Sequence, residues 1–218
     1  VGFDVSFPPS ESAVFLERVN RFVVRAAADP GELLLHLPNS GRLSWLGEGA
    51  PLRYLPRRSA KTAGRVILAR DRDTWALLDS ALAEAALPGL LQNWGWRWLR
   101  AQPKLENRRL DALALDERGG ERYLEMKSVT QVSAGLGCFP DAPSRRARAH
   151  LELVRRRDGL LLFAVLRQDA EAFSPCDADP EFAAAFCRYY RQGLAARAER
   201  ARLEPGGLVW SGELPIYC

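Results

Sequence analysis

The segments Arg109-Leu110-Asp111 and Tyr123-Leu124-Glu125-Met126-Lys127-Ser128 flank a polar, glycine-bearing stretch, Asp116-Glu117-Arg118-Gly119-Gly120. No other feature constrains the chain as much. The layout predicts two neighbouring strands joined by a short turn. Side chains alternate along a strand, so Glu125 and Lys127 share one face while Leu124 and Met126 take the other. A hairpin register that turns Asp111 toward that face gathers two carboxylates and one ammonium in a small space. Leu113 and Leu115 lie on the side of Asp111, and Leu110, Ala112 and Ala114 on the opposite side, so the first strand reads as buried on both faces. Carboxylates on such a strand need a charge partner or a metal.

Two carboxylates and a lysine so arranged are the equipment of metal-dependent nucleases of the PD-(D/E)XK type. The acids hold a hard divalent cation through oxygen, and the lysine orients the attacking water or steadies developing charge. The competing reading is a surface hairpin with an exposed ion pair. In a chain that is 27% charged, spacing alone does not separate the two.

The chain has 218 residues, enough for one large domain or two modest ones. No run of eighteen apolar residues occurs, so no membrane span is expected. Val1 to Ser10 holds two prolines, has no basic-then-apolar layout and reads as a short tail rather than a signal peptide. Cys138, Cys176, Cys187 and Cys218 stand far apart without a CxxC pair, and His36 and His150 are the only histidines. This argues against zinc and for reduced thiols in a cytoplasmic protein. The net charge of +4 permits a polyanionic partner without requiring one, and arginine suits bidentate phosphate contacts.

Along the chain, Phe15 to Arg25 alternates loosely, Asp29-Pro30-Gly31 marks a turn, and Glu32 to Leu37 and Leu52 to Pro56 read as strands. Short strands with frequent turns suggest a small β-barrel. The basic connector Arg57 to Arg65 is the expected domain boundary. Trp75 to Leu87 reads as a helix stopped by Pro88-Gly89. Trp94, Trp96 and Trp98 follow at period two, either as a stacking surface for bases or, preferably, as a layer packed on the preceding helix. Val129 to Pro140 reads as a loop. A helix capped by Asp141 or Ser144 then runs to about Arg157 with Ala147, Leu151 and Val154 as its buried stripe. Leu160 to Leu166 reads as a buried strand, which completes a βαβ crossover. A further helix opens at Asp179-Pro180 and stops at Gly193. Leu194 to Leu203 reads as helix by propensity.

Six blocks then occur in order: Pro38-Asn39-Ser40-Gly41-Arg42-Leu43, Arg109-Leu110-Asp111, Glu125-Met126-Lys127-Ser128-Val129-Thr130, Phe139-Pro140-Asp141-Ala142, His150-Leu151 and Phe173-Ser174-Pro175. Together they resemble the sugar fermentation stimulation protein A family over nearly the whole chain. The resemblance implies a mixed α/β (α+β) chain. An N-terminal OB-like β-barrel with its tail (residues 1–62) would precede a PD-(D/E)XK restriction-endonuclease-like domain (63–218). It implies DNA as partner, a link to regulation of sugar utilisation, and Mg²⁺ or Mn²⁺ as cofactor. Asp111 and Glu125 become metal ligands, Lys127 the catalytic lysine, and Glu84 matches a glutamate on the first helix of the nuclease core. Arg146 aligns with a family arginine. The resemblance also turns Leu194 to Leu203 into a strand beside Leu208 to Ile216. The chain departs from the family at Met126, at Arg108 in place of a serine, at Asp73-Thr74, and across Ser144 to Ala149, where a family lysine and glycine are missing.

Turn chemistry suffices for Gly41 and is the plain account of Asn39, while Asn39, Arg42 and Arg109 are candidate DNA contacts, Arg42 through a phosphate. Arg145, Arg146 and Arg148 crowd the first turn of a helix, where the dipole disfavours cations. An arriving phosphate would give them a purpose, and a solvated charged face is the plainer account. His150 is expected to hydrogen-bond internally, and Arg155, Arg156 and Arg157 complement the dipole at the other end. Two functions remain open: a Mg²⁺-dependent nuclease, with Asp111, Glu125, Lys127 and Glu84 as its machinery, or a non-catalytic DNA-binding transcriptional regulator on a nuclease scaffold.

Overall fold

The structure, a computed structural model, describes residues 3–57 and 61–218. The first strand, β1 (Val5–Ser6), does not join the barrel that follows it; it pairs with the last strand of the chain and edges the second domain's sheet. The expected short tail is therefore partly anchored in the sheet.

The barrel is built from β2 (Glu11–Asn20), β3 (Val23–Ala28), β4 (Gly31–His36), β5 (Pro51–Pro56) and β6 (Gly64–Asp71), with β7 (Thr74–Leu77) added at its end. The strand order is β4-β3-β2-β5-β6-β7, and a further β4–β6 pairing closes it. Phe15 to Arg25 is thus two strands, broken by a turn at Arg21-Phe22. Alternation sends Ala13, Phe15, Val24, Ala26, Leu35, Leu52, Tyr54 and Val66 into the barrel interior. Because β6 is needed for closure, the barrel extends through Leu77, beyond the boundary expected between Arg57 and Arg65. Residues 58–60 of that connector lie outside the described residues.

The stretch read as one helix from Trp75 to Leu87 is divided. After β7 come α1 (Ser80–Ala85), capped by Asp79, and α2 (Leu87–Asn93). Pro88 sits in the first turn of α2, where its missing N–H costs nothing, so it starts a helix rather than stopping one. Gly95 follows at φ +75°, so Trp94 and Trp96 precede the strand β8 (Arg97–Ala101) and only Trp98 lies on it. The three rings are half-buried against the core, as a packed layer.

Two short strands, β9 (Lys104–Leu105) and β10 (Arg108–Arg109), lead into β11 (Ala112–Leu115) and its hairpin partner β12 (Glu121–Val129). The segment expected to be a loop carries β13 (Gln131–Ser133) and β14 (Leu136–Phe139). Then follow α3 (Arg145–Arg156), β15 (Leu160–Val165), β16 (Ala172–Pro175), α4 (Pro180–Arg191), β17 (Ala196–Glu204) and β18 (Gly207–Leu214). The main sheet has the order β1-β18-β17-β15-β12-β11-β8, with β12, β15 and β17 parallel at its centre. Fully buried β15 sends Leu160, Leu162 and Ala164 to one core and Leu161, Phe163 and Val165 to the other. The first core also takes in Ile67, Leu68 and Leu77 of the barrel, so the barrel is packed onto the sheet face that α1 and α2 cover. Helices α3 and α4 close the second face.

The cysteines are paired, not reduced. The parallel match of β14 with β16 brings Cys138 to a Cα–Cα distance of 5.0 Å from Cys176, and Cys187 of α4 is bonded to Cys218. Residues far apart in sequence become neighbours through sheet pairing, which spacing could not disclose. No helix among the described residues is long and apolar enough to cross a membrane.

Candidate active site

The site begins where a hairpin comes apart. Strand β11 pairs with β12 only as far as Ala112 opposite Leu124. Asp111, one residue earlier, still donates its N–H to the Leu124 carbonyl at 3.0 Å. Its carboxylate then takes over from the backbone, and Oδ2 accepts the Met126 N–H at 2.6 Å. A side chain thus substitutes for the departed strand and opens β12 beyond that point.

On the face of β12 toward α3, Glu125 is 2% exposed, Lys127 8% and His150 3%. Lys127 Nζ and the His150 ring nitrogen Nδ1 both meet Glu125 Oε1, and the two nitrogens are 3.4 Å apart. The second oxygen, Oε2, is buried and has no hydrogen-bond partner. Burial alone would push the Glu125 carboxyl up, but the His150 hydrogen bond and the Lys127 charge hold it below its usual range. Asp111 goes the other way. Burial first, and the charge of Glu125 second, push it up to about 7 against the stabilising Met126 amide. Glu84 on α1 is also raised, mainly by burial and further by Glu125 and Asp79, with a hydrogen bond from Gln102 opposing.

Glu84, Asp111, Glu125 and Lys127 line one cleft of about 300 Å³. Its opposite wall belongs to the barrel: Arg21, Asn39, Ser40 and Gly41. Asn39 Oδ1 accepts the Gly41 N–H at 2.9 Å and so closes its own turn. Arg18 gathers that loop, donating to the carbonyls of Gly41, Arg42 and Arg21 at 2.7 Å and of Asn39 at 3.2 Å. Across the cleft Asp141 accepts the Leu43 N–H at 3.2 Å. A Cβ on Gly41 would stand 2.5 Å from an Asp141 oxygen, so this glycine is required by close approach and not only by turn chemistry.

The arginines divide. Arg146, exposed in the first turn of α3, lines the cleft. Arg42, Arg109 and Arg145 are exposed and outside its lining. Arg148 is committed elsewhere, bonding Asp179 at 2.7 and 2.9 Å and Glu181 at 3.3 Å. Asp179 also caps α4 and accepts the Ser144 N–H at 2.7 Å, while Ser144 caps α3. Arg148 therefore serves to join two helix starts, and the expected phosphate role is withdrawn for it.

Among the described residues no three His, Cys, Asp or Glu side chains form a ready cation cage. The donors that fit a cation are the two carboxylates Asp111 and Glu125. The orphaned Oε2 of Glu125 and the raised Asp111 carboxyl both mark oxygens whose bonding capacity is unfilled by the protein. Such a pair suits a hard ion that keeps part of its water shell.

The model described as "Sugar fermentation stimulation protein RE domain" matches residues 74–207, and the one described as "SfsA N-terminal OB domain" matches residues 16–78. The chain belongs to the sugar fermentation stimulation protein family. A homologue from Carboxydothermus hydrogenoformans is 32% identical over 94% of this chain and 95% of its own. One from Aquifex aeolicus is 32% identical over 91% and 94%. The solved structure of SfsA from Pyrococcus furiosus, in complex with Ca²⁺, matches 100% of both chains with a TM-score of 0.90 at 23% identity, which shows the fold. An OB domain followed by a restriction-endonuclease-like domain is thus the architecture of this family member. The OB model ends at residue 78, where β7 ends the barrel.

Proposed function

We propose that this family member binds DNA in the cleft between its domains and hydrolyses phosphodiester bonds there with a divalent cation, Mg²⁺ or Mn²⁺. The observation that carries the reading is the Glu125 carboxylate. One oxygen is fixed by Lys127 and His150, and the other is buried, unpartnered and accompanied by Asp111 in the same cleft. Lys127 answers one oxygen, and a buried carboxylate oxygen left bare is costly unless a further cation completes it. A relative of the same fold solved with Ca²⁺ supports a divalent ion.

When bound by Asp111 and Glu125, the ion would supply Lewis acidity toward a phosphate oxygen. Lys127, fixed against Glu125, places an ammonium in the cleft where it can orient water or balance charge gained by the phosphate. Glu84, half-buried with a raised carboxyl, is placed to accept or return a proton. Asn39 and Ser40 shape the barrel wall, and Arg146 supplies a cation to the phosphate backbone, with Arg42, Arg109 and Arg145 available further along its path. The partial neutralisation of Glu125 by Lys127 and His150 favours one second reading, a DNA-binding regulator without turnover.

Labelled single- and double-stranded DNA incubated with Mg²⁺ or Mn²⁺ separates the two. Cutting that disappears in Lys127→Ala and in Glu125→Ala supports hydrolysis. Salt-sensitive DNA retention by all three proteins without cutting makes the chain a binding protein.

A further inference from the structure

We propose that the cleft takes an unpaired nucleic-acid strand, held on the barrel side by Arg21 and Phe22 of the β2–β3 turn. This rests on the phosphodiester reading and names its substrate class. Arg21 lines the cleft opposite Asp111, Glu125 and Lys127. It donates through Nε to the Ser40 carbonyl at 3.2 Å, and no described carboxylate forms an ion pair with it. The neighbouring Arg18 adds like charge. A guanidinium left without a counterion beside such a cleft is suited to a phosphate.

Phe22 is the next residue, and it is 46% exposed. Its ring centroid lies 5.5 Å from the Arg21 guanidinium. Its carbonyl accepts the Leu37 N–H at 2.8 Å, which ties the β2–β3 turn to the chain entering Pro38–Gly41. Arg21 lines the cleft and the exposed ring stands next to it, so together they offer a phosphate a partner and the adjoining base a stacking face. Arg146 stands on the facing wall, in a helix turn where a cation gains nothing from the dipole.

The walls are tied together. Leu43 N–H donates to Asp141 at 3.2 Å, and Ser44 Oγ donates to Gln131 Oε1 at 3.2 Å. A cleft of about 300 Å³ lies at the small end of single-ligand sites. An unpaired strand can pass one nucleotide at a time into such a space, whereas a paired nucleotide would have to leave its partner to follow. In a duplex, moreover, the bases are stacked on one another and unavailable to Phe22.

The test uses the full chain and fluorescence anisotropy with a labelled single-stranded oligonucleotide and its duplex, in EDTA and again in Ca²⁺. The wild type is expected to hold the single strand more tightly. Phe22→Leu should weaken that binding about five- to a hundredfold, with the duplex unaffected, while Phe22→Tyr keeps it. Arg21→Gln should lower the salt slope by about 0.7. Unchanged melting of each variant shows that the fold is intact. A wild type that prefers duplex, or Phe22→Leu and Arg21→Gln variants that bind the single strand normally, overturns this inference alone. A wild type that holds neither form of DNA overturns the phosphodiester reading and this inference together.

Discussion

Arg167 and Glu125 are both buried charges in ionic clusters, and one cluster is closed while the other is open. Arg167, 2% exposed, engages all three guanidinium nitrogens. Nε and Nη2 bond Asp169 at 2.9 and 2.6 Å, and Nη1 bonds Asp71 of β6 at 2.9 Å. Its guanidinium lies 5.2 Å from the Trp45 ring centroid, so the cluster pins barrel to nuclease domain. Glu125 is buried to the same degree but leaves Oε2 unpartnered, and its charge adds to the burial that pushes Asp111 up to about 7. Burial of charge is therefore a poor sign of function by itself. Unused bonding capacity facing a cleft is the better one.

The sharpest way to break this comparison is to exchange the expected phenotypes. Lys127→Ala should lower single-turnover DNA cleavage about 10²- to 10³-fold while the protein still melts cooperatively. Arg167→Ala should do the reverse. It should cost about 3 kcal/mol of stability in urea unfolding, since it leaves two carboxylates without their cation, with cleavage per folded molecule within a few-fold of wild type. If Arg167→Ala abolished cleavage in fully folded protein, the closed cluster would belong to the site.

The open cluster also shows what a sequence discloses. Glu125 and Lys127 are legible because strand period alone puts them on one face, and Asp111 because a short turn sets the hairpin. His150 lies on another element, 25 residues from its partner Glu125. Its signal is a polar residue at the i+3 place on the stripe Ala147, Leu151, Val154, which otherwise is apolar. Arg18 and Arg21 gave no signal, because their contacts are backbone carbonyls of a loop about twenty residues on. The β13–β14 hairpin was hidden by Gly135 and Gly137, which look like loop residues until β16 supplies a parallel partner. At Ala196–Glu204 helix propensity lost to a place between two strands of the main sheet, and the family pattern, not the local residues, disclosed it.

His150 tests how far the open cluster depends on its support. Its ring meets the oxygen of Glu125 that is not free, so it orients the one that is. His150→Ala should weaken Mn²⁺ binding about 10- to 100-fold in calorimetry. Unchanged affinity would make the contact a packing detail and leave Lys127 alone as the orienting group.

A subtler difference between the clusters is in pH. Asp111, pushed up to about 7 by burial and by Glu125, keeps its proton in the folded protein where an unfolded chain has lost it. Without a cation its contribution therefore falls as pH rises from about 4 toward 7. Glu125, held below its usual range, contributes in the opposite sense, losing stability only as acid protonates it. Cation binding needs Asp111 ionised, so each ion taken up at low pH must displace a proton. Mn²⁺ affinity should climb about tenfold per pH unit below 7 and then level off. Asp111→Asn should bind more weakly and without that slope. A wild-type affinity that is flat from pH 5 to pH 8 would take Asp111 out of the ligand set and leave the unpartnered oxygen of Glu125 as the site's single anchor.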